Sequence, residues 1–446
     1  MKVLIISTNT LPASPSGPAY IAGAALKAGH TVEAFECLFT KDLASELKAH
    51  ITRFQPDVIG ISIRLVHGFI IDPEAEFNTR HLDLRKRVKQ VVECIKQVSS
   101  AQIVLGGPGF NYYGRDWLEY LDVDYGLRGE ADFSFPLFLS RLENSGDITT
   151  VPGCVFRKEG QIHKVPRELV ADLDATAFPA YELFDLNRYY ERNISPAIVT
   201  KRGCAFQCIY CPYSSLEGKY YRLKSPARVA AEIEKVQKTS RPKMFMFCDN
   251  NFNTPRKHAE AICQEIIEQN LTIQWGTGDL RPRGITDDFC QLLKKSGCNY
   301  VNLSIESGSD VMLKRLKRGY SADQVRQSLT SLVKAQIPFG ASLMFGAPGE
   351  TPETIAESLS LLDGYEIPLG TWVTIGICLW THRQPVLQEA QKDGQFKSDK
   401  ELFQGVNYLS PTLSREYMVG LINSLKLKKN YNVQVNQPYA EYSLGS

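Results

Sequence analysis

Three cysteines fall within eight residues, Cys204-Ala-Phe-Gln-Cys208-Ile-Tyr-Cys211, spaced C-x3-C-x2-C. Thiolates are the standard protein ligands of iron–sulfur clusters. Three on one loop can bring their sulfurs to three irons of a [4Fe–4S] cube. No fourth cysteine lies at short spacing, so one iron stays open to another ligand. The competing reading is structural zinc. Zinc wants four ligands, usually as paired C-x2-C or H-x3-H units, and no second pair lies nearby. Cys37, Cys94, Cys154, Cys248, Cys263, Cys290, Cys298 and Cys378 are scattered through apolar segments. Each reads as a small buried hydrophobe. An odd total of eleven cysteines gives no disulfide framework.

Other polar residues stand where apolar runs end. Met244–Cys248 ends in Asp249-Asn250-Asn251, Tyr300–Ile305 in Glu306-Ser307-Gly308, and Phe339–Phe345 in Gly346-Ala-Pro-Gly-Glu350. Ala197–Lys201 leads into the cysteine loop, and Thr272–Gly276 and Thr371–Cys378 complete the set of expected strands. Helical stripes separate them. Ser225-Pro226 reads as an N-cap with proline at the first helical position. Thr254-Pro255 opens a second helix, on which His258 is expected to be solvated; Phe289–Lys295 and Thr351–Leu362 are two more. Six strand–helix units predict a partial (β/α)6 TIM-type barrel over residues 197–380. Sites in such barrels lie at the carboxyl ends of the strands, where these polar residues fall. Arg281 follows the third strand; Trp380, His382 and Arg383 follow the last and are candidates to face substrate.

Residues 1–145 alternate apolar runs (Val3–Ser7, Val32–Phe35, Asp57–Ile63, Ile103–Leu105, Val123–Gly126) with helical stripes. The pattern predicts a Rossmann-like, doubly wound parallel sheet, whose ligands bind beyond the carboxyl ends of the strands. Three loops meet there: 9–19, 62–69 and 106–113. Gly106 and Gly107 permit close backbone approach. No G-x-G-x-x-G follows the first strand, and there is no P-loop. Residues 146–196 read as a connector that begins with a hairpin around Glu159-Gly160. Residues 381–446, with Phe396, Phe403, Tyr408, Tyr417, Tyr431, Tyr439 and Tyr442, read as a region that caps the barrel or shapes a pocket.

Composition narrows the class. Hydrophobic residues make up 43% and charged residues 22%, ordinary for a soluble globular protein. A net charge of +2 implies no general attraction to nucleic acid. No run reaches the ~18 apolar residues that span a bilayer, and the start lacks a signal pattern. A cytoplasmic location is expected.

The cysteine spacing resembles the signature of the radical SAM superfamily, in which the open iron chelates S-adenosylmethionine and one electron releases a 5′-deoxyadenosyl radical. That resemblance implies roles for nearby residues. Tyr210 touches adenine, Asp249-Asn-Asn-Phe252 holds the amino group, Ser304-Ile-Glu306-Ser-Gly308 reaches the ribose, and Phe345-Gly346-Ala-Pro-Gly-Glu-Thr351 packs near adenine. Arg281 is a candidate for the carboxylate. The first part resembles the cobalamin-binding domain that precedes the catalytic domain in many of these enzymes. The matching pieces are Ile5–Tyr20, which includes Pro12; Gly60-Ile-Ser62-Ile-Arg64 with Leu65; Leu105-Gly106-Gly107-Pro108; and Arg128-Gly129-Glu130. The wider cobalamin pattern D-x-H-x-x-G is missing, since residues 8–18 contain neither Asp nor His. No histidine ligand from that motif is expected; Arg64, Leu65 and His67 follow the third strand and are candidates to approach the lower face of cobalt, the competing reading of His67 being a solvated or packed loop histidine. The resemblance implies a cobalamin-dependent radical SAM methyltransferase acting on an unactivated carbon. The alternatives are a radical cyclisation, ring contraction or rearrangement, and a non-catalytic corrinoid or redox sensor. It also implies a small-molecule or natural-product substrate and an external electron donor such as flavodoxin or ferredoxin.

Overall fold

The computed structural model describes residues 1–71, 79–381 and 383–435, with the side chains of 69–71 and 79–81 left aside. His382, Tyr439 and Tyr442 lie outside the described residues. The chain forms two compact units. The first comprises residues 1–68, 83–201 and 222–245; the second comprises 69–82, 202–221 and 246–446.

In the first unit seven strands lie side by side: Thr31–Glu36, Lys2–Ser7, Val58–Ser62, Gln102–Gly106, Tyr125–Leu127, Cys154–Lys158 and Gln161–Lys164. The first five run parallel. Their near-continuous apolar runs, such as Val3–Ile6 and Val58–Ile61, are buried, as a sheet covered on both faces requires. The amino-terminal strand lies between the second and third in chain order, so the winding reverses between Lys2–Ser7 and Val58–Ser62. That is the topological switch point of a doubly wound fold. The predicted hairpin forms, with Glu159 at φ 52° and Gly160 at φ 75°, the left-handed pair of a tight primed turn. It joins this sheet antiparallel, beside Tyr125–Leu127. The segment after it also packs here. A β-carbon on Gly23 would stand 1.9 Å from the Phe178 carbonyl oxygen, and Ala180 N donates to Ala19 O at 2.9 Å.

In the second unit the strands follow chain order: Phe245–Phe247, Trp275–Leu280, Cys298–Glu306, Phe339–Phe345, Thr371–Ile375 and Tyr431–Val435. No switch point occurs, which is the winding of a β/α barrel. One face of this sheet is apolar and buried: Phe245, Phe247, Trp275, Val301, Leu303, Ile305, Phe339, Ala341, Leu343, Phe345, Val373, Ile375, Val433 and Val435. The helix Asp287–Lys295 packs on Cys298–Glu306, and Arg415–Leu427 packs on Tyr431–Val435. The alternate positions, among them Asn302, Ser304, Ser342, Trp372 and Asn432, make the other face, which is more polar.

Four expectations change. The third strand is Trp275–Leu280, not Thr272–Gly276, with register shifts that mark an irregularity between Thr277 and Leu280. The last predicted strand breaks at Gly376, which sits at φ 83°. Thr371–Ile375 stays in the sheet, while Ile377–Leu379 pairs antiparallel with Val406–Tyr408. Residues beyond 380 also supply a parallel strand, Tyr431–Val435, against Thr371–Ile375. Finally, His258 is buried in its helix while Cys248 is exposed, because Cys248 points to the polar face. No helix among the described residues is long and apolar enough to cross a membrane.

Candidate functional site

The cysteine loop is pinned at both ends. Gly203 has φ 93°, and a β-carbon there would stand 2.0 Å from the Tyr220 carbonyl oxygen; only glycine fits. Cys204 N donates to Gly218 O at 3.0 Å. The Glu217 carboxylate accepts from Gly203 N at 3.1 Å and from Asn250 Nδ2 at 2.7 Å. On the far side Gln384, 2% exposed, gives its amide to Tyr210 O (2.6 Å) and Cys378 O (3.1 Å). Its oxygen accepts from Trp380 N and Thr381 N. Buried and fully bonded, Gln384 fixes the loop's carboxyl half.

All three thiols are free. Cys204 and Cys208 are buried and Cys211 keeps a partly open side. Burial raises the Cys204 thiol and pushes Cys211 up to about 12. Among the described residues no three His, Cys, Asp or Glu side chains converge as a single metal ion needs. A cube makes no such demand, because each thiolate binds a different iron. Donors point at the sulfurs. Arg318 Nη1 lies 3.5 Å from Cys208 Sγ and Asn251 Nδ2 lies 3.9 Å from Cys204 Sγ. Cationic and amide donors around thiols suit an anionic iron–sulfur cluster.

Two buried arginines stand behind the loop. Arg318 spreads its fork over Tyr210 Oη (2.7 Å), Ser304 O (2.8 Å) and Tyr320 Oη (2.8 Å), and reaches Glu306 at 3.8 Å. Glu306 itself sits at φ 66°, a left-handed conformation that ends its strand and turns the carboxylate aside. Arg281 is 2% exposed. Asn253 clamps its backbone from both sides, accepting from Arg281 N (3.0 Å) and donating to Arg281 O (2.8 Å). The guanidinium lies 3.4 Å from the Phe206 ring centroid and also donates to the Arg318 carbonyl. Burial, then the Arg318 charge, pushes its pKa down. Its Nη1 is buried with no partner. A buried cation with an unmet donor fits an anionic ligand such as a carboxylate.

The remaining predicted residues divide. Asp249 is buried at its strand end. Gly346 is held at φ 89° with Leu409 against it, where a β-carbon would stand 2.2 Å from Leu409 Cδ1. In the first unit the switch point forms a cleft lined by Thr8, Asn9, Thr10, Leu11, Arg64, Leu65, Leu84 and Val88. Pro12 is exposed just beyond it, and Thr8 closes on Ser62 through Oγ1 to O at 2.8 Å. Gly107 serves packing: at φ 92°, a β-carbon would stand 2.6 Å from the Ile63 carbonyl oxygen. Gly106 is open, with only the Leu127 oxygen at 3.9 Å, and Pro108 starts the short helix that follows. Gly129 N donates to Asn111 Oδ1 at 2.5 Å. Both Glu130 oxygens take the Arg222 fork at 2.6 Å, and Oε2 also takes Val170 N. Glu130 thus fixes its loop. His67 is buried. The cleft and the open Gly106 lie at the switch point, beyond the carboxyl ends of the strands.

Arg318, Asn253 and Gln384 escaped the sequence reading, and Asn251 entered it only as part of the Asp249–Phe252 segment. Arg318 and Gln384 lie more than a hundred residues from the cysteines they serve, and nothing in their local spacing marks them.

The family comparisons agree with both halves. Residues 2–139 match the B12 binding domain and residues 198–362 match the radical SAM superfamily. A relative from Pyrococcus horikoshii, the uncharacterized methyltransferase PH0819, is 24% identical over 82% of this chain and 79% of its own length. The anaerobic magnesium-protoporphyrin IX monomethyl ester cyclase of a Synechocystis species is 26% identical over 71% of this chain and 62% of its own length. Among solved structures, the radical S-adenosylmethionine methyltransferase TsrM from Kitasatospora setae, with tryptophan substrate and a SAM analogue bound, shares the fold. Its TM-score is 0.80 at 19% identity, covering 95% of this chain and 88% of that one.

Proposed function

We infer that this chain, which carries a B12 binding domain and a radical SAM domain in tandem and so belongs to the cobalamin-dependent radical SAM enzymes, moves a methyl group to an unactivated carbon of a small molecule. When bound, the cluster supplies the electron that cleaves S-adenosylmethionine and cobalamin supplies the methyl carrier. Cys204, Cys208 and Cys211 hold the cluster. Arg318 places positive charge beside Cys208 Sγ. Arg281, with its open Nη1, is the residue suited to the methionine carboxylate. Tyr210, Asp249, Glu306 and Gly346 shape the rest of that pocket. In the first unit Arg64, Leu65, Pro12, Ser62, Gly106 and Pro108 flank the cobalamin cleft, while Gly107, Gly129 and Glu130 keep its loops in place. Reduction calls for an external one-electron donor of the flavodoxin or ferredoxin kind.

The observation that carries this reading is the free cysteine triad with donors aimed at its sulfurs and a buried guanidinium with an open Nη1 behind it. The methyl assignment draws on the corrinoid domain and on the likeness to PH0819, which spans most of both chains. The test is anaerobic reconstitution with iron, sulfide and hydroxocobalamin, then reduction with S-adenosylmethionine present. Wild type is expected to retain corrinoid and release 5′-deoxyadenosine, and Cys208→Ala to lose both cluster and cleavage. A Cys208→Ala protein that still assembled the cube and cleaved S-adenosylmethionine would sink the assignment. The cyclase likeness supports a second reading, ring formation without methyl transfer. Product mass separates them: methylation adds one methyl group and yields S-adenosylhomocysteine.

A further inference from the structure

The polar face of the second unit's sheet is a built surface. Parallel pairing aligns Ser304 with Ser342, Ser342 with Trp372, and Trp372 with Asn432. Paired residues in a parallel sheet point to the same side. These four therefore form one row across four strands. Asp279 joins that row from a fifth strand. The irregularity between Thr277 and Leu280 turns it to this side, as bulges near active sites re-aim side chains, and its Oδ1 accepts from Ser304 Oγ at 2.6 Å. Asn302, directly below, donates to Ser342 Oγ at 2.8 Å.

Three features of the row restrict what it can bind. Most of its members are small, and a β-carbon on neighbouring Gly278 would meet nothing within 4 Å, so there is open room above the row. Trp372 is 43% exposed, although its neighbours Thr371 and Val373 are fully buried. A large indole left bare beside small polar residues is a stacking surface awaiting a ring. Charge on this face is one-sided: among its described positions none is Lys, Arg or His, while Asp279 is walled by protein yet open to water on one side. Loss of hydration, helped by the Glu306 charge and opposed by the Ser304 hydrogen bond and the Arg318 charge, lifts its carboxyl to about 6, so it is ionised at neutral pH.

We propose that this row is the substrate seat, and that the substrate is a flat ring bearing a short arm with an amine or other protonated nitrogen. The ring stacks on Trp372 and the nitrogen donates to Asp279. Three strand spacings, about 14 Å along the sheet, separate the two residues. Their side chains cover part of that span, and a bicyclic ring with a two-carbon arm fills the remainder. The row's own side chains offer an anionic group no cation, and Arg318, whose charge reaches Asp279, is engaged with Glu306, Tyr210 and the Ser304 carbonyl. The inference rests on the catalytic reading above and deepens it.

The experiment uses the reconstituted holoenzyme with S-adenosylmethionine and four matched probes: 2-(2-naphthyl)ethylamine, 2-(2-naphthyl)ethanol, 2-naphthylacetate and 2-cyclohexylethylamine. Binding is read by calorimetry and ligand-observed NMR. The aryl amine is expected to bind best, the acid worst, and the cyclohexyl amine roughly tenfold or more below its aryl counterpart. Trp372→Ala should remove the ring preference and Trp372→Phe retain it. Asp279→Asn should equalise amine and alcohol, and the wild-type preference for amine should grow as pH rises through 6. If the four probes bind alike, if none binds, or if Trp372→Ala leaves the ranking unchanged, the inference is overturned. Uncoupled release of 5′-deoxyadenosine by the same preparation keeps the catalytic reading standing in that event; its absence overturns that reading instead.

Discussion

At the residue scale the site is decided by a few buried charges. Arg318 is the most connected. It is nearly buried and meets Tyr210, Ser304, Tyr320, Glu306 and Cys208. Only a planar fork can serve so many directions at once. Arg318→Gln leaves Glu306 without its cation, and breaking such a buried pair costs about 3 kcal/mol. An anaerobic urea midpoint should show that loss, and Arg318→Lys should recover only part of it. The same change removes a positive charge beside Cys208, so the cluster's midpoint potential should fall in Arg318→Gln; an unmoved potential would deny Arg318 any electrostatic role. Glu350 gives a second prediction. It is fully buried, its Oε1 accepts from Thr354 Oγ1 at 2.8 Å, and its Oε2 has no partner. Burial lifts its carboxyl to about 7. The folded state then holds this proton more tightly than the unfolded chain, so stability falls as pH rises from about 4.5 through 7. Glu350→Gln has no proton to lose. It should escape the decline, by roughly 3 kcal/mol at pH 8 relative to pH 5, which parallel melting curves would reveal. The cysteines were marked in the sequence by short spacing and Glu306 by its place at the end of an apolar run. Arg318 and Gln384 were not, because their role is conferred by folding, across gaps no local pattern spans.

At the element scale, most strand–helix alternation was legible, because apolar runs and capping residues act locally. The breaks were not. A strand shifted along Thr272–Leu280 and a strand cut at Gly376 both depend on what neighbouring strands accept. The glycines that matter are those whose conformation and surroundings both exclude a side chain. Gly203 combines φ 93° with a carbonyl oxygen 2.0 Å from any β-carbon. Gly160 has φ 75° but nothing within 4 Å. Gly160→Ala should therefore cost only about 1 kcal/mol, the left-handed penalty alone. Gly203→Ala adds a backbone clash at the neck of the cysteine loop, should exceed about 2 kcal/mol, and should lower iron retained on reconstitution. Equal iron content in the two variants would show that the neck does not position the cysteines.

At the scale of the molecule, two winding patterns meet in one chain. One sheet reverses its winding between Lys2–Ser7 and Val58–Ser62 and opens a cleft there; the other follows chain order and turns a polar row to one face. Each topology dictates where its own ligand can go, so each cofactor should leave a separate footprint. Hydrogen exchange on the cluster-free protein can read both. Hydroxocobalamin alone should slow exchange in the loops at residues 8–12, 62–66 and 106–111, the carboxyl ends of the first sheet. Iron and sulfide followed by S-adenosylmethionine should slow it at 203–211, 249–253, 278–283 and 346–350, the carboxyl ends of the second. Protection scales with the free energy each ligand adds to the state that binds it, so saturating corrinoid should protect its loops most where backbone donors are not already paired. Thr8 N is bonded to Ser62 O and should change little, whereas residues 9–11 and 64–65 should change most. Corrinoid protection confined to 346–350, with 8–12 and 62–66 unaffected, would move the cobalamin site out of the doubly wound sheet and undo the assignment of Arg64, Leu65 and Gly106 together.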